Sequence, residues 1–258
     1  MIKIAVASTC IAIGALGMPV YAEQCSAKSP AHTLALVELY TSEGCDSCPP
    51  ADKWLRSIPT IRGANGVVPL SLHVDYWDYI GWKDPFARPQ FASRQRELSA
   101  VQGRTFVYTP QVVFGGRDYR RWGSGGEFLD DVKKTNAQSA RADIEISIIT
   151  QPGGRIEARV ETRVPDMRHR ADTALYLAIY QNGLSTIVAA GENRGKTLAH
   201  DFVTRAWAEP VILNSAGMGR AALSAQIPSA SSANAGIAAF VQNRRSGEVL
   251  QAFSMPLC

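Results

Sequence analysis

Two cysteines three positions apart constrain this chain more than any other feature of its sequence. The motif Cys45-Asp46-Ser47-Cys48 follows an apolar run, residues 33–40, that predicts a buried strand, and it precedes Pro49 and Pro50. Proline is tolerated in the first turn of a helix, so the two prolines predict a helix over residues 49–58. A dithiol between a buried strand and a helix favours redox chemistry over a purely structural role.

The position of the motif predicts different roles for the two cysteines. At a helix N-terminus, the helix dipole and free backbone N–H groups stabilise a thiolate. We therefore expect Cys45 to be exposed and to attack, and Cys48 to be shielded and to resolve a mixed disulfide. The charge of Asp46 opposes that thiolate, so the sequence predicts no redox potential. A static disulfide is the alternative.

Three further residues are candidates for the same site. Thr109-Pro110 precedes a short strand, residues 111–114, that we expect beside the strand leading to the motif. A cis peptide bond here would place the backbone of Thr109 against the disulfide, where it could pair with an extended substrate. A trans proline at a strand start is the alternative. Glu38 either relays protons to the resolving thiol or faces solvent at a strand edge.

The sequence pattern changes near residue 141. Before it, strand and helix patterns alternate, which predicts an α/β domain over residues 23–141, with a four-stranded mixed sheet and flanking helices. From residue 143, short runs of alternating polarity and turns predict an all-β, sandwich-like domain over residues 142–258, without long helices. The other elements predicted in the first part are strands at 67–74 and 117–122 and helices at 86–101 and 127–138.

The first 22 residues have the pattern of a secretory signal peptide. Lys3 precedes an apolar stretch, residues 4–20, and Ala22 ends a plausible cleavage site with Glu23 as the first mature residue. An uncleaved anchor is the alternative, but an apolar run of about 17 residues is at the lower limit for spanning a bilayer. We expect a periplasmic or secreted protein without stable membrane insertion after cleavage.

Export would leave four cysteines in an oxidising compartment, which can pair in three ways. Pairing within the motif leaves Cys25 and Cys258, whose disulfide would join the two ends of the chain. A zinc site made of four cysteines is the alternative; we expect neither a metal nor a cofactor. With 27 basic and 23 acidic residues, the chain has no electrostatic pattern for binding nucleic acid.

Residues 33–138 resemble a thioredoxin-like domain, and the whole mature chain resembles the DUF1223 family of exported bacterial proteins. Gly44 and Asp46-Ser47 depart from the aromatic residue and the Gly-Pro pair usual in thioredoxins. The resemblance to DUF1223 implies a thioredoxin-like fold but no substrate. The stretches that carry it are 37–52, His73-Val-Asp-Tyr-Trp-Asp78, Gly81-Trp-Lys-Asp-Pro85, Arg94-Gln95, Tyr108-Thr-Pro-Gln111, Gly191-Glu-Asn-Arg-Gly195 and His200-Asp201.

These observations lead to three functional hypotheses. The first is a thiol–disulfide oxidoreductase of the cell envelope, acting on exported protein thiols or disulfides and coupled to a redox partner protein. The second is a binding module whose motif is a permanent disulfide. The third is Cu(I) delivery by Cys45 and Cys48 with His73 or His200, since soft thiolates suit Cu(I).

Weaker candidates are the residues that follow the second predicted strand and one loop in the second half of the chain. His73, Asp75 and Asp78 lie where α/β sheets place functional loops, although hydrogen bonding within an irregular loop is the simpler interpretation. Trp77 and Trp82 could form an apolar platform or core. For the loop at residues 191–195 we expect a contact between the two halves of the chain.

Overall fold

The computed structural model describes residues 23–151, 153–228 and 234–258. The signal peptide predicted at residues 1–22 lies outside these ranges. The α-helices are α1 (Pro49–Ser57), α2 (Pro89–Val101) and α3 (Gly125–Asn136). The strands are β1 (Glu23–Lys28), β2 (Ala35–Thr41), β3 (Val67–His73), β4 (Gln111–Phe114), β5 (Arg117–Asp118), β6 (Asp143–Gln151), β7 (Arg155–Arg163), β8 (Thr173–Gln181), β9 (Leu184–Ile187), β10 (Thr197–His200), β11 (Val203–Trp207), β12 (Val211–Ile212), β13 (Met218–Gln226), β14 (Ala235–Asn243) and β15 (Val249–Pro256).

One nine-stranded mixed sheet runs through both halves of the chain. Its order is β15-β14-β8-β11-β3-β2-β4-β5, and β12 also pairs with β8. Strand β2 is parallel to β3 and antiparallel to β4. Strand β11, from the second half, pairs in parallel with β3, where Val203 lies opposite Ser71. The sheet therefore crosses the boundary expected near residue 141.

The predicted fold class is wrong. Strands account for 41% of the structure and helices for 19%, so the protein is mostly β, and no separate thioredoxin-like α/β core is present among the described residues. The four strands expected to form their own sheet are part of the larger one. The reason lies at the edge of β3, where the buried Ser71 donates its N–H to the carbonyl of Phe202 at 2.8 Å. A buried strand edge needs such a partner, and local sequence patterns do not identify it.

A second, antiparallel sheet of order β1-β6-β7-β13 packs against the large one. Alternate residues of β6 and β7, such as Ile146 and Val160, meet Leu177 of β8 and Ile237 of β14 in one apolar core. Strand β7 alternates in burial because its other face is exposed, whereas β8 and β14 are buried on both faces and are almost continuously apolar. No α-helix is seen among the described residues after 142, as expected.

The two faces of β2 pack against different helices. Val37 and Leu39 pack with Leu55 of α1 and Phe128 of α3, whereas Tyr40 lies on the opposite face in a cluster with Phe91 of α2. The ends of the parallel strands β2 and β3 lie side by side and lead into the segment 42–48 and the loop 74–88. None of the helices in the described ranges has the length and apolarity that crossing a bilayer requires.

Candidate functional site

The two cysteines of the motif form a disulfide at the start of α1. Their Cα atoms lie 5.5 Å apart, and the N–H of Cys48 donates to the carbonyl of Cys45 at 3.3 Å. Cys48 is the N-cap of α1, so the helix begins directly after the motif as predicted. The hydroxyl oxygen of Ser47 lies 3.3 Å from Sγ of Cys45.

The two prolines change the electrostatics expected at this helix end. Pro49 and Pro50 have no N–H, and the next two N–H groups, of Ala51 and Asp52, donate to the carbonyl of Cys48 at 2.9 and 3.1 Å. The first turn therefore offers no free N–H to a thiolate, and that part of the sequence argument is wrong. The helix dipole alone remains to favour a negative charge at the motif.

A loop from the second half of the chain holds the segment that carries Cys45. The buried Asn193 donates from Nδ2 to the carbonyls of Glu43 at 2.9 Å and of Cys45 at 2.8 Å, and Glu192 accepts the N–H of Asp46 at 3.0 Å. We call residues 191–195 the cover loop. The expected contact between the halves is confirmed.

Neither cysteine of the motif has exposed surface: the relative accessibility of Cys45 and of Cys48 is 0%. The prediction that Cys45 is exposed is therefore wrong. Asp46 and Ser47 between them are exposed, so the turn itself reaches the surface while its sulfur atoms do not. A partner could reach the disulfide only after a local opening.

Thr109 and Pro110 lie at the same end of the sheet as the motif. Their peptide bond is cis, as predicted, and β4 begins at the next residue, opposite Tyr40. The indole of Trp77 donates to Oγ1 of Thr109 at 2.7 Å. Trp77 also lies next to Gly44, where a Cβ atom would come within 3.3 Å of it, which accounts for a glycine before Cys45.

Glu38 does not lie behind the disulfide. It is fully buried on the face of β2 opposite α1, where Arg94 donates to both carboxylate oxygens at 2.6 and 3.0 Å and Tyr40 donates at 3.2 Å. Neither sequence alternative, a proton relay to the thiol or a solvent-exposed strand edge, describes this ion pair. Glu38 therefore has no part in the thiol chemistry proposed below.

Two histidines and two carboxylates form a buried polar cluster beside the motif. Nδ1 of His73 lies 2.7 Å from Oδ2 of Asp84, and Nε2 of His200 lies 3.1 Å from Oε1 of Glu43. Glu43 also accepts from the indole of Trp82 at 2.9 Å. Burial opposes ionisation of Asp84, but His73 and two backbone N–H groups outweigh it, so the pKa of Asp84 is lowered. Burial likewise opposes a charge on His73, but Asp84 outweighs that effect and the pKa of His73 is raised.

Asp52 faces this cluster from the first turn of α1. Its Oδ2 accepts from the hydroxyl of Thr41 at 3.2 Å, and burial raises its pKa. One potential ligand atom each from Asp52, His73 and His200 lies within 4.8 Å of the others. No sequence pattern connects Asp52 with histidines that follow it by 21 and 148 positions.

The remaining candidates have structural positions. Cys25 and Cys258 form a disulfide with Cα atoms 6.1 Å apart, which is the pairing expected for the ends of the chain. Asp78 accepts the N–H of Asp84 at 3.2 Å and so helps to hold the loop 74–88. Asp75 is half-buried, and its carbonyl accepts the N–H of Asp78 at 3.1 Å.

Comparisons with known proteins give a family and a fold. A family model described as "Protein of unknown function (DUF1223)" matches residues 36–242, and no curated protein matches the chain in sequence. Protein AGR_C_4864 from Agrobacterium tumefaciens is similar in structure, with 25% identity and a TM-score of 0.61 over 88% of this chain and 96% of its own. HBP35 of Porphyromonas gingivalis has 14% identity and a TM-score of 0.66 over 88% and 76%, a likeness of fold alone.

The matched range includes both cysteines of the motif, both buried histidines and the cover loop. It also spans the junction of β3 with β11, so the match covers both halves of the large sheet. The chain therefore belongs to the DUF1223 family, whose function is unknown.

Proposed function

We propose that this protein carries out thiol–disulfide exchange through Cys45 and Cys48. The observation that carries the proposal is the contrast between the two disulfides. In the chain-entropy model a disulfide stabilises more the longer the loop it closes, with a logarithmic dependence, and the sequence separation is 3 for the motif pair against 233 for Cys25–Cys258. A pair that contributes so little to stability is better suited to chemistry than to cross-linking.

The exchange proceeds in two steps that balance in atoms and electrons. A partner thiolate attacks Sγ of Cys45, forms a mixed disulfide and breaks the Cys45–Cys48 bond, and Cys48 leaves as a thiolate that takes up a proton. The partner's second thiolate then attacks the partner sulfur that is bonded to Cys45, forms the partner's disulfide, breaks the mixed disulfide and releases Cys45 as a thiolate that takes up a proton. The partner dithiol loses two electrons and the motif gains two; the reverse sequence reduces a partner disulfide.

Cys45 is the proposed site of the mixed disulfide because it lies outside α1, in the turn before the helix, whereas Cys48 is fixed as the N-cap of α1. Thr109 and Pro110 are the proposed contact for an extended partner segment, since they lie at the same end of the sheet. Access requires the cover loop to open, because both cysteines are buried. The partners would be exported protein thiols or disulfides and a redox partner protein.

We also propose that the protein is exported to the periplasm or secreted. The support is the signal-peptide pattern at residues 1–22 together with two disulfides among the described residues. Disulfides persist in oxidising compartments and are rare in the cytosol.

The test compares Cys48→Ser with its matched control Cys45→Ser in purified protein. Incubated with glutathione disulfide, Cys48→Ser should accumulate a mixed disulfide on Cys45, visible in the intact mass, and Cys45→Ser should accumulate far less. Titration of the wild type against glutathione then gives the direction of electron flow. A reduction potential of about −120 mV for the Cys45–Cys48 pair would indicate an oxidant, and one of about −270 mV a reductant.

A non-catalytic binding module is the second candidate, and the burial of both sulfur atoms favours it. In that case the Cys45–Cys48 disulfide should resist glutathione at every ratio, and neither serine variant should form a mixed disulfide. A double variant with both cysteines replaced by serine would then bind its partner as the wild type does.

A further inference from the structure

We propose that Asp52, His73 and His200 form a binding site for a divalent transition-metal ion, with Zn²⁺ as the first candidate. The three residues come from α1, the end of β3 and the end of β10, so secondary structure from both halves of the chain holds them. The proposal is independent of the thiol chemistry, because none of the three ligands is a cysteine.

Three buried polar atoms in this group have no hydrogen-bond partner among the described residues: Oδ1 of Asp52, Nε2 of His73 and Nδ1 of His200. The residues are only 8%, 0% and 2% exposed. Buried polar atoms in folded proteins nearly always have a partner, because an unpaired one loses its interaction with water without replacement. Three such exceptions on neighbouring side chains point to one shared partner, and a cation can accept a lone pair from all three.

In each histidine, a carboxylate contacts the ring nitrogen that is not the proposed ligand atom, and this contact orients the ring for metal binding. Asp84 lies 2.7 Å from Nδ1 of His73, and Glu43 lies 3.1 Å from Nε2 of His200. An ionised carboxylate only accepts, so the nitrogen bonded to it carries a proton, and the opposite nitrogen is the one that a metal ion can take as a ligand in place of a proton. Metal-binding histidines are characteristically held in this way by a carboxylate behind them.

The two carboxylates that orient the histidines are held in place by further hydrogen bonds. Asp84 accepts the N–H groups of Glu43 and Phe86, each at 2.9 Å, and Glu43 accepts the indole N–H of Trp82 at 2.9 Å. This arrangement keeps both rings oriented before any ion arrives. Asp52, Glu43 and Asp84 also bring three buried carboxylates to a cluster with two histidines, and a divalent cation would offset part of that charge.

The donor set selects the class of ion. Two imidazole nitrogens and one carboxylate oxygen suit Zn²⁺ and other first-row divalent ions, and three protein ligands leave at least one coordination position for a further group. Ca²⁺ and Mg²⁺ take oxygen ligands, so they should bind here weakly if at all.

The test uses the full mature chain without a histidine tag, stripped with a chelator and kept oxidised so that both disulfides are closed. In this state no thiolate can bind the ion, which separates this site from metal binding by Cys45 and Cys48. After Zn²⁺ is added and the excess is removed, we expect one Zn²⁺ per chain by elemental analysis, and the protein should compete with a chromophoric chelator for Zn²⁺. Loaded with Co²⁺ instead, the protein should show a visible spectrum typical of nitrogen and oxygen ligands. Mg²⁺ should not displace the Co²⁺.

Three variants locate the ion, and a fourth is the matched control. Asp52→Asn and His200→Gln should weaken Zn²⁺ binding more than Asp84→Asn, for which a loss of about 10–100-fold is expected because Asp84 only orients His73. His169→Gln, a half-buried histidine in the 3-10 turn, should bind as the wild type does. Circular dichroism identifies any variant that fails to fold, and the wild-type stoichiometry does not depend on the variants. Less than one ion per oxidised wild-type chain after Zn²⁺ is added back to the stripped protein, or equal affinity in wild type and His200→Gln, would overturn the proposal.

Discussion

At the scale of single residues, Arg94 connects parts of the chain that are far apart. Its guanidinium donates to both oxygens of Glu38 and, at 3.1 Å, to Oε1 of Gln242 on β14. It also lies over the rings of Tyr176 and Phe240, with its central carbon 4.6 and 4.9 Å from the ring centres. The positive charge of Arg94 is thus buried with hydrogen-bond partners, and the buried Glu38 carboxylate in turn depends on Arg94.

Replacing Arg94 should therefore cost much more than replacing an exposed arginine. We expect Arg94→Met to lower the free energy of unfolding by about 3–5 kcal/mol, because it leaves the Glu38 carboxylate buried without its partner. Arg220→Met, which removes the exposed pair with Glu161, should cost less than about 1 kcal/mol. Urea unfolding measures both, and equal losses in the two variants would contradict this account.

Which residue features the sequence could predict depends on how local they are. The Cys45–Cys48 disulfide and the cis bond before Pro110 followed from neighbouring residues, and the structure contains both. The partner of Glu38 lies 56 positions away in Arg94, and no local pattern connects them. The hydrogen bond from Asn193 to the carbonyl of Cys45 likewise joins residues 148 positions apart.

At the scale of elements, the cover loop ties the second half of the chain to the segment that carries the disulfide. It is a tight turn: the N–H of Gly195 donates to the carbonyl of Val188 at 2.8 Å, and Gly191 and Gly195 both have positive φ, 75° and 81°. Glycine adopts this backbone conformation without steric cost. The turn presents Asn193 to the carbonyls of the motif segment, and this is what keeps the loop closed.

Removing that side chain should make the disulfide easier to reduce. Asn193→Ala loses two buried hydrogen bonds, and at about 0.5–1.5 kcal/mol each the cover loop should open about tenfold more often. We expect dithiothreitol to reduce Cys45–Cys48 faster by a similar factor, followed by thiol labelling and mass spectrometry. The matched control is Asn214→Ala, because Asn214 lies in a separate turn, where its side chain accepts the N–H of Met218. This variant should leave the rate of reduction unchanged. An unchanged rate in Asn193→Ala would mean that the loop does not limit access.

Most elements could be predicted from periodicity. The bounds of β4 agree with the predicted range, and α1 starts at the predicted proline. Three strands were missed: β1 carries mostly polar and small residues, and β9 and β12 have only four and two residues.

At the scale of the whole molecule, the chain ends are tied beside the smaller sheet. Cys25 lies on the edge strand β1, and Cys258 is the last residue after β15. The pairing could be predicted because the motif left only these two cysteines, whereas the shared sheet could not, since strand order depends on contacts between distant segments. The disulfide thus links the outer strand of one sheet to the outer strand of the other.

The terminal disulfide should stabilise the protein far more than the motif disulfide does. Replacing both Cys25 and Cys258 by serine should lower the free energy of unfolding by about 2–4 kcal/mol, because the unfolded chain regains the freedom of a very long loop. Replacing both Cys45 and Cys48 by serine frees only a short loop in the unfolded chain, so it should lower the free energy of unfolding by clearly less. Urea unfolding compares the two double variants, and peptide mapping without reduction should yield one fragment that joins the two ends. Free thiols at both ends, or equal costs in the two variants, would argue against this difference.

The junction of β3 with β11 also limits how such a protein can evolve. Recombination spreads segments that keep their structure in a new setting. A gene fragment ending near residue 141 would carry Cys45, Cys48 and His73, but it would lack Asn193, His200 and the strand that completes the edge of β3. Neither half could be exchanged, duplicated or fused to another gene without losing the buried cluster, so descent should preserve this architecture as a whole. The Agrobacterium protein, matched over 96% of its length, has that whole-chain likeness.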